Sequence, residues 1–135
     1  NLIFDTSLVL RILTDKEFFN ALNVSEEVRI TSVTAYELLR GAMYINITSR
    51  RDRELNIILS LISELPIIPF TSEDAKIASY IWARLKETGR VLSDADILIA
   101  SICISNKEKL LTLDEDYEKI KSVYEKLEVK VLKET

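Results

Sequence analysis

The sequence predicts an α/β fold: a single domain in which a parallel sheet carries helices on both faces. Three observations predict it. Short β-type runs alternate with longer stretches of helical apolar spacing along the whole chain, and strands separated by helices join in parallel. The 135 residues are 47% apolar, which suits one domain with a proper hydrophobic core. Glycine and proline occur twice each, so no flexible linker is expected to divide residues 1–135.

Taken in order, Leu2-Ile3-Phe4 is a short apolar strand that stops at Asp5-Thr6-Ser7, three residues that favour turns and helix starts. A helix from Thr6 to Leu13 follows. Val28 to Thr31 is the second strand, and a helix runs from about Val33 to Ile47 with Leu38, Leu39, Ala42 and Met43 on its apolar side. Leu55, Ile58, Leu59 and Ile62 repeat at helical spacing. Pro66 ends that helix, and Ile67 to Phe70 is a brief strand whose prolines suit an irregular or edge position. Thr71-Ser72-Glu73-Asp74 starts a helix that Ala75, Ala78, Ile81, Trp82 and Leu85 carry to Gly89. Ala95 to Ile104 is apolar almost all round and reads as a buried helix. Lys109 to Thr112 is a strand, Asp116 to about Lys126 a charged helix, and Val129 to Leu132 a closing strand.

Absences narrow the chemistry. With no histidine, imidazole acid/base catalysis, Ser-His-Asp triads and His-ligated zinc are excluded. The single cysteine, Cys103, lies in an apolar run and is expected to fill the core. A net charge of −4 argues against general electrostatic affinity for nucleic acid, though metal ions at a site can neutralise a phosphate locally. The longest nearly uncharged apolar run, Ala95 to Ser105, is too short to span a bilayer, and no basic-then-apolar leader precedes the first element. A soluble cytoplasmic protein without a membrane partner is expected.

An open parallel sheet binds ligands beyond the carboxyl ends of its strands, and four acids are candidates for that rim. Asp5 ends the first strand, and Asp114 follows the Leu110-Leu111-Thr112 strand by one residue. Glu37 and Asp96 each lie near the start of a helix. If the first and fourth strands are neighbours, about 4.8 Å apart, Asp5 and Asp114 can share an ion. Clustered carboxylates repel and take up protons unless a cation compensates. An all-oxygen set suits Mg²⁺ or Mn²⁺, and paired ions of this kind can promote phosphodiester hydrolysis. A plainer reading stands beside this one. Thr34-Ala-Tyr-Glu37 and Ser93-Asp-Ala-Asp96 both match the Ser/Thr-x-x-Glu/Asp capping box, as does Thr71-Ser-Glu-Asp74, to which no chemistry is assigned.

Together these segments resemble the PIN-domain family, and within it the VapC-like toxin ribonucleases of toxin–antitoxin pairs. The resemblance rests on Ile3-Phe4-Asp5-Thr6-Ser7, on Ile30 through Ala42, on Asp94-Ala95-Asp96-Ile97-Leu98-Ile99-Ala100, and on Leu110 through Tyr117. It implies a sheet of order 3-2-1-4-5. It places the family's acids on Asp5, Glu37, Asp96 and Asp114, with Asp5, Asp96 and Asp114 as ligands to one or two Mg²⁺ or Mn²⁺ ions. It also places Thr6 and Thr112 at hydroxyl positions that steady the acids or water, and Asp116 as an outer helper. Asp94 is the alternative to Asp96 for the third acid, but Asp96 directly precedes the Ile-Leu-Ile-Ala run. Tyr117 stands where the family has an aromatic, usually phenylalanine.

The resemblance implies metal-dependent hydrolysis of single-stranded or loop RNA, a small VapB-like antitoxin as partner, and a homodimer. The alternatives are a PIN nuclease of RNA processing without an antitoxin, and an inactive member acting as a partner-binding module. Arg40, Arg50, Arg51, Arg53, Lys86 and Arg90 are candidate RNA contacts, against the plainer role of solvating helix faces. Trp82 is expected in the core, Tyr36 and Tyr44 in packing or a dimer contact, and Gly41 at a close helix approach.

Overall fold

The computed structural model describes residues 1–133; the last two positions of the expected 1–135 domain lie outside the described residues. Five strands form one sheet: β1 (Leu2–Phe4), β2 (Val28–Thr31), β3 (Ile67–Ile68), β4 (Lys109–Thr112) and β5 (Val129–Val131). Their order is β3-β2-β1-β4-β5, and every pairing is parallel. The chain thus builds outward from β1 to one side, then crosses to the other, and the strand order reverses at β1 and β4. Phe4 pairs with Leu111, so the two strands carrying Asp5 and Asp114 are neighbours, as the sharing of an ion requires.

Alternation along the strands explains why β1 is apolar at every position. Leu2 and Phe4 enter a core cluster with Leu8, Val9, Ala35, Leu38, Ala42 and Ile58. Ile3, one residue out of phase, enters the other cluster with Ile81, Leu85, Ile99, Ile102 and Tyr117. Helices α1 (Thr6–Thr14), α3 (Ser32–Ser49) and α4 (Arg53–Glu64) therefore cover one face. Helices α5 (Ser72–Glu87), α6 (Asp94–Ser105) and α7 (Asp116–Val123) cover the other. Cys103 is buried in the second cluster, as expected of a core filler.

Several sequence expectations differ from the structure for local reasons. A further short helix, α2 (Lys16–Ala21), follows α1. Asp15 caps it by accepting the Phe18 amide, and it buries no residue fully, so it carries no amphipathic signature. Helix α7 ends at Val123 rather than Lys126: the backbone extends at Tyr124 so that Leu127 can enter the core, and Lys121 Nζ donates to the freed carbonyls of Glu125 and Leu127. Trp82 is 48% exposed. It lies one position, about 100° of helix, past the buried Ile81, and its ring sits 5.0 Å from Lys86 Nζ. Gly41 marks no close approach, since a Cβ there would meet nothing within 4 Å. Met43 and Leu59 face outward. Among the described residues, no helix is long and apolar enough to cross a membrane.

Candidate active site

The carboxyl ends of β1 and β4 create the site. Where β1 stops, Asp5 adopts an extended backbone and caps α1, its Oδ1 accepting the Leu8 amide at 3.1 Å. Ser7 Oγ lies 2.9 Å from both carboxylate oxygens and donates to them, while Thr112 Oγ1 donates to Oδ2 at 2.8 Å. Asp5 is only 2% exposed. Burial pushes its carboxyl above the usual range, against the pull of these hydrogen bonds, and the charge of Asp114 adds to the rise.

Thr112 joins the two strand ends. Its hydroxyl donates to Asp5 and accepts the Asp114 amide at 2.9 Å, so the turn after β4 is registered against the acid after β1. Ser7 strengthens the same junction by accepting the Leu113 amide at 3.3 Å. Asp114 Oδ1 in turn accepts the Asp116 amide at 2.9 Å, which starts α7 and brings the Asp116 side chain back toward the site.

Asp96 arrives from α6. Ser93 Oγ accepts its amide at 3.3 Å, and the Tyr117 hydroxyl donates to its Oδ1 at 3.1 Å. Burial and then the neighbouring charge of Asp114 push its carboxyl up to about 6. Asp96, Asp114 and Asp116 each offer one carboxylate oxygen, and these three atoms lie within 4.8 Å of one another. That donor set is all-oxygen and formally −3, and burial together with the charge of Asp114 raises one of its acids, a cost that a cation relieves. It fits a hard divalent ion.

Asp5 and Glu37 lie outside that trio. Glu37 sits on α3, where Thr6 Oγ1 donates to its Oε1 at 2.6 Å and Arg40 Nη2 approaches Oε2 at 3.5 Å. Thr6 Oγ1 is also 3.1 Å from Thr34 Oγ1. The capping alternative separates here. Helix α3 is capped by Thr31, which accepts the Thr34 amide, so Glu37 is no capping residue. Ser93 makes the forward half of a box with Asp96. Only Thr71 and Asp74 form the reciprocal pair.

Asp94, the alternative third acid, is exposed and lines a groove with Trp82, Ile97 and Leu98 rather than joining the trio. Among the candidate RNA contacts, Arg40 pairs with Glu37, and its guanidinium lies 5.1 Å from the Tyr36 ring centroid; outside that set, Lys119 Nζ donates to Asp116 Oδ1 at 3.1 Å. Arg51 pairs with Glu54, Lys86 covers Trp82, and Arg90 donates to Ser122. Sequence reasoning assigned no role to Ser7 or Tyr117. Their signal was positional: Ser7 is two residues beyond Asp5, and Tyr117 three beyond Asp114.

A family model described as PIN domain matches residues 2–123. Ribonuclease VapC3 of Methanocaldococcus jannaschii is 31% identical over 100 residues, spanning 74% of this chain and 95% of that protein. Two solved structures share the fold. DNA-bound VapBC from Salmonella typhimurium superposes with a TM-score of 0.78 at 24% identity over 97% of both chains. VapBC2 from Rickettsia felis, bound to a promoter DNA fragment, gives 0.77 at 20% identity over 98% of both chains. Through this family match, the homologous ribonuclease and the shared topology, the chain belongs to the PIN-domain family and is a relative of the VapC ribonucleases.

Proposed function

We propose that this chain is a divalent-metal-dependent endoribonuclease of the VapC type, cutting phosphodiester bonds in single-stranded or loop RNA. The single observation that carries the reading is the meeting of Asp96, Asp114 and Asp116, with oxygens within 4.8 Å of one another, beside an Asp5 tied to the same turn through Thr112. Asp96 and Asp114, with Asp5 beside them, would hold one or two Mg²⁺ or Mn²⁺ ions, and Asp116 completes the acidic wall. When bound, such an ion supplies Lewis-acid polarisation of the phosphate and an activated water.

The chain's own residues do the rest. Thr112 and Ser7 hold Asp5 in one orientation. Thr6 holds Glu37, which stands at the rim as a carboxylate able to take a proton from water. Arg40, placed by Glu37 and Tyr36, meets a phosphate approaching that rim, where a guanidinium binds two oxygens at once. The names of the relatives support a small VapB-like antitoxin as partner, and the family supports a homodimer acting in the cytoplasm.

The purified protein is expected to cleave single-stranded RNA with Mg²⁺ or Mn²⁺ and to stop on addition of EDTA. Asp96→Asn and Asp114→Asn should each lower the rate at least 100-fold, about 2.7 kcal/mol of transition-state stabilisation. Undiminished cleavage by both variants would overturn the proposal.

A further inference from the structure

We propose that Tyr117 is a positioning residue for the metal site: its buried hydroxyl fixes the Asp96 carboxylate in the place where the acid trio needs it. The proposal rests on the reading of Asp96 as a ligand. Tyr117 is the second residue of α7, so the turn that presents Asp114 and Asp116 also sets the phenol. Its side chain has no exposure to solvent and packs in the cluster of Ile3, Ile97, Leu110 and Ile120. A ring held on all sides in this way has one orientation. Its oxygen projects from the core to a single fixed point, where it donates to Asp96 Oδ1 at 3.1 Å.

Asp96 needs such a post. It sits in the first turn of α6 with a flexible carboxylate, and the two acids opposite it come from a different element. Their charges drive it away from them whenever no cation is present. A neutral donor anchored in the core opposes that motion without adding charge, so the ligand is already in place when an ion arrives. Groups that orient a ligand from behind in this manner are commonly worth about 10- to 100-fold in metal affinity. Packing alone does not require the hydroxyl, since a phenylalanine ring fills the same volume.

The test is Mn²⁺ binding, followed by calorimetry or by the paramagnetic signal of the free ion, in the wild type, Tyr117→Phe, Asp96→Asn and the double variant. Tyr117→Phe is expected to keep the circular dichroism of the wild type and to bind Mn²⁺ about 10-fold more weakly. Cleavage by this variant should recover at saturating Mn²⁺. In the Asp96→Asn background the same change should have no further effect, because the hydroxyl acts through that carboxylate. Unchanged Mn²⁺ affinity in a folded Tyr117→Phe, with Asp96→Asn strongly impaired, overturns this proposal and leaves the nuclease reading standing. Unchanged affinity in Asp96→Asn overturns both.

Discussion

Asp96 and Asp5 have carboxyls raised by burial in the absence of an ion, and this sets a pH dependence. For Asp96 the folded value is about 6, against an ordinary 3.8. An acid raised on folding contributes stability that is fully present below its unfolded value and is lost as pH rises through the folded value. The metal-free protein should therefore lose stability between about pH 4 and pH 6.5. Discounted for the partial exposure of Asp96 to about 1 kcal/mol, the loss corresponds to about 4 °C in Tm. Asp96→Asn should remove most of that slope and raise the Tm of the EDTA-treated protein at pH 7.5. Mn²⁺ should stabilise the wild type at pH 7.5 and not at pH 4.5. Thermal melts across that range check all three. At this scale part of the candidate site was legible: Asp96 and Asp114, which the structure brings together with Asp116, lie in short segments whose turn and helix signals are local, while Asp5 and Glu37 stand outside that trio. Asp116, Ser7 and Tyr117 were not assigned their present contacts. Their long-range contacts, Ser7 with Leu113, Tyr117 with Asp96 and Asp116 within the trio, depend on how the turn after β4 meets the start of α1 and the side of α6, which no local pattern encodes.

Three matches to one capping pattern became three different structures, which shows what an element-level motif leaves open. At Thr71 the box closes; at Ser93 only the forward bond forms; at Thr34 the helix has already begun two residues earlier, capped by Thr31. The closed box does more than end a helix. Asp74 is fully buried and also accepts the hydroxyl of Ser105 at the far end of α6, so it staples α5 to α6 while finishing the cap by accepting the Thr71 amide. Asp74→Ala removes both roles, the cap and the bond from the half-buried Ser105, a loss of about 3 kcal/mol. Thr71→Ala loses only the cap, about 1 kcal/mol. Urea unfolding at unchanged m should separate the two variants by about 2 kcal/mol, with RNA cleavage retained by both at temperatures where they remain folded. Among the described residues, the strands and six of the seven helices were readable from periodicity. Helix α2 was not, because six residues that bury nothing fully leave no amphipathic trace, and the end of α7 was misjudged because the demand of Leu127 for the core overrides a helical charge pattern.

For the molecule as a whole, the parallel sheet and its two helical layers followed from alternation of elements, while strand order came from family resemblance and was met by the pairing of β1 with both β2 and β4. Among the exposed apolar residues, Tyr36, Met43, Tyr44 and Ile47 form a stripe on α3, at positions i, i+7, i+8 and i+11 of one helix face. We propose that the expected homodimer uses this row as its contact. Sedimentation at micromolar concentration is expected to show a homodimer, and Tyr44→Asp to shift it toward monomer. A monomer throughout that range would contradict the dimer.

The junction of Asp5 with Thr112 spans 107 positions of sequence. During synthesis β1 emerges first, yet its inner neighbour and two of the three clustered acids belong to the last quarter of the chain. A ribosome can therefore extend most of this polypeptide before any cluster exists. Translation that terminates ahead of Leu110 releases a fragment with neither β4 nor the turn after it. For a protein proposed to destroy RNA in the cell that makes it, this topology withholds the acid cluster from any nascent chain that has not yet reached the turn after β4.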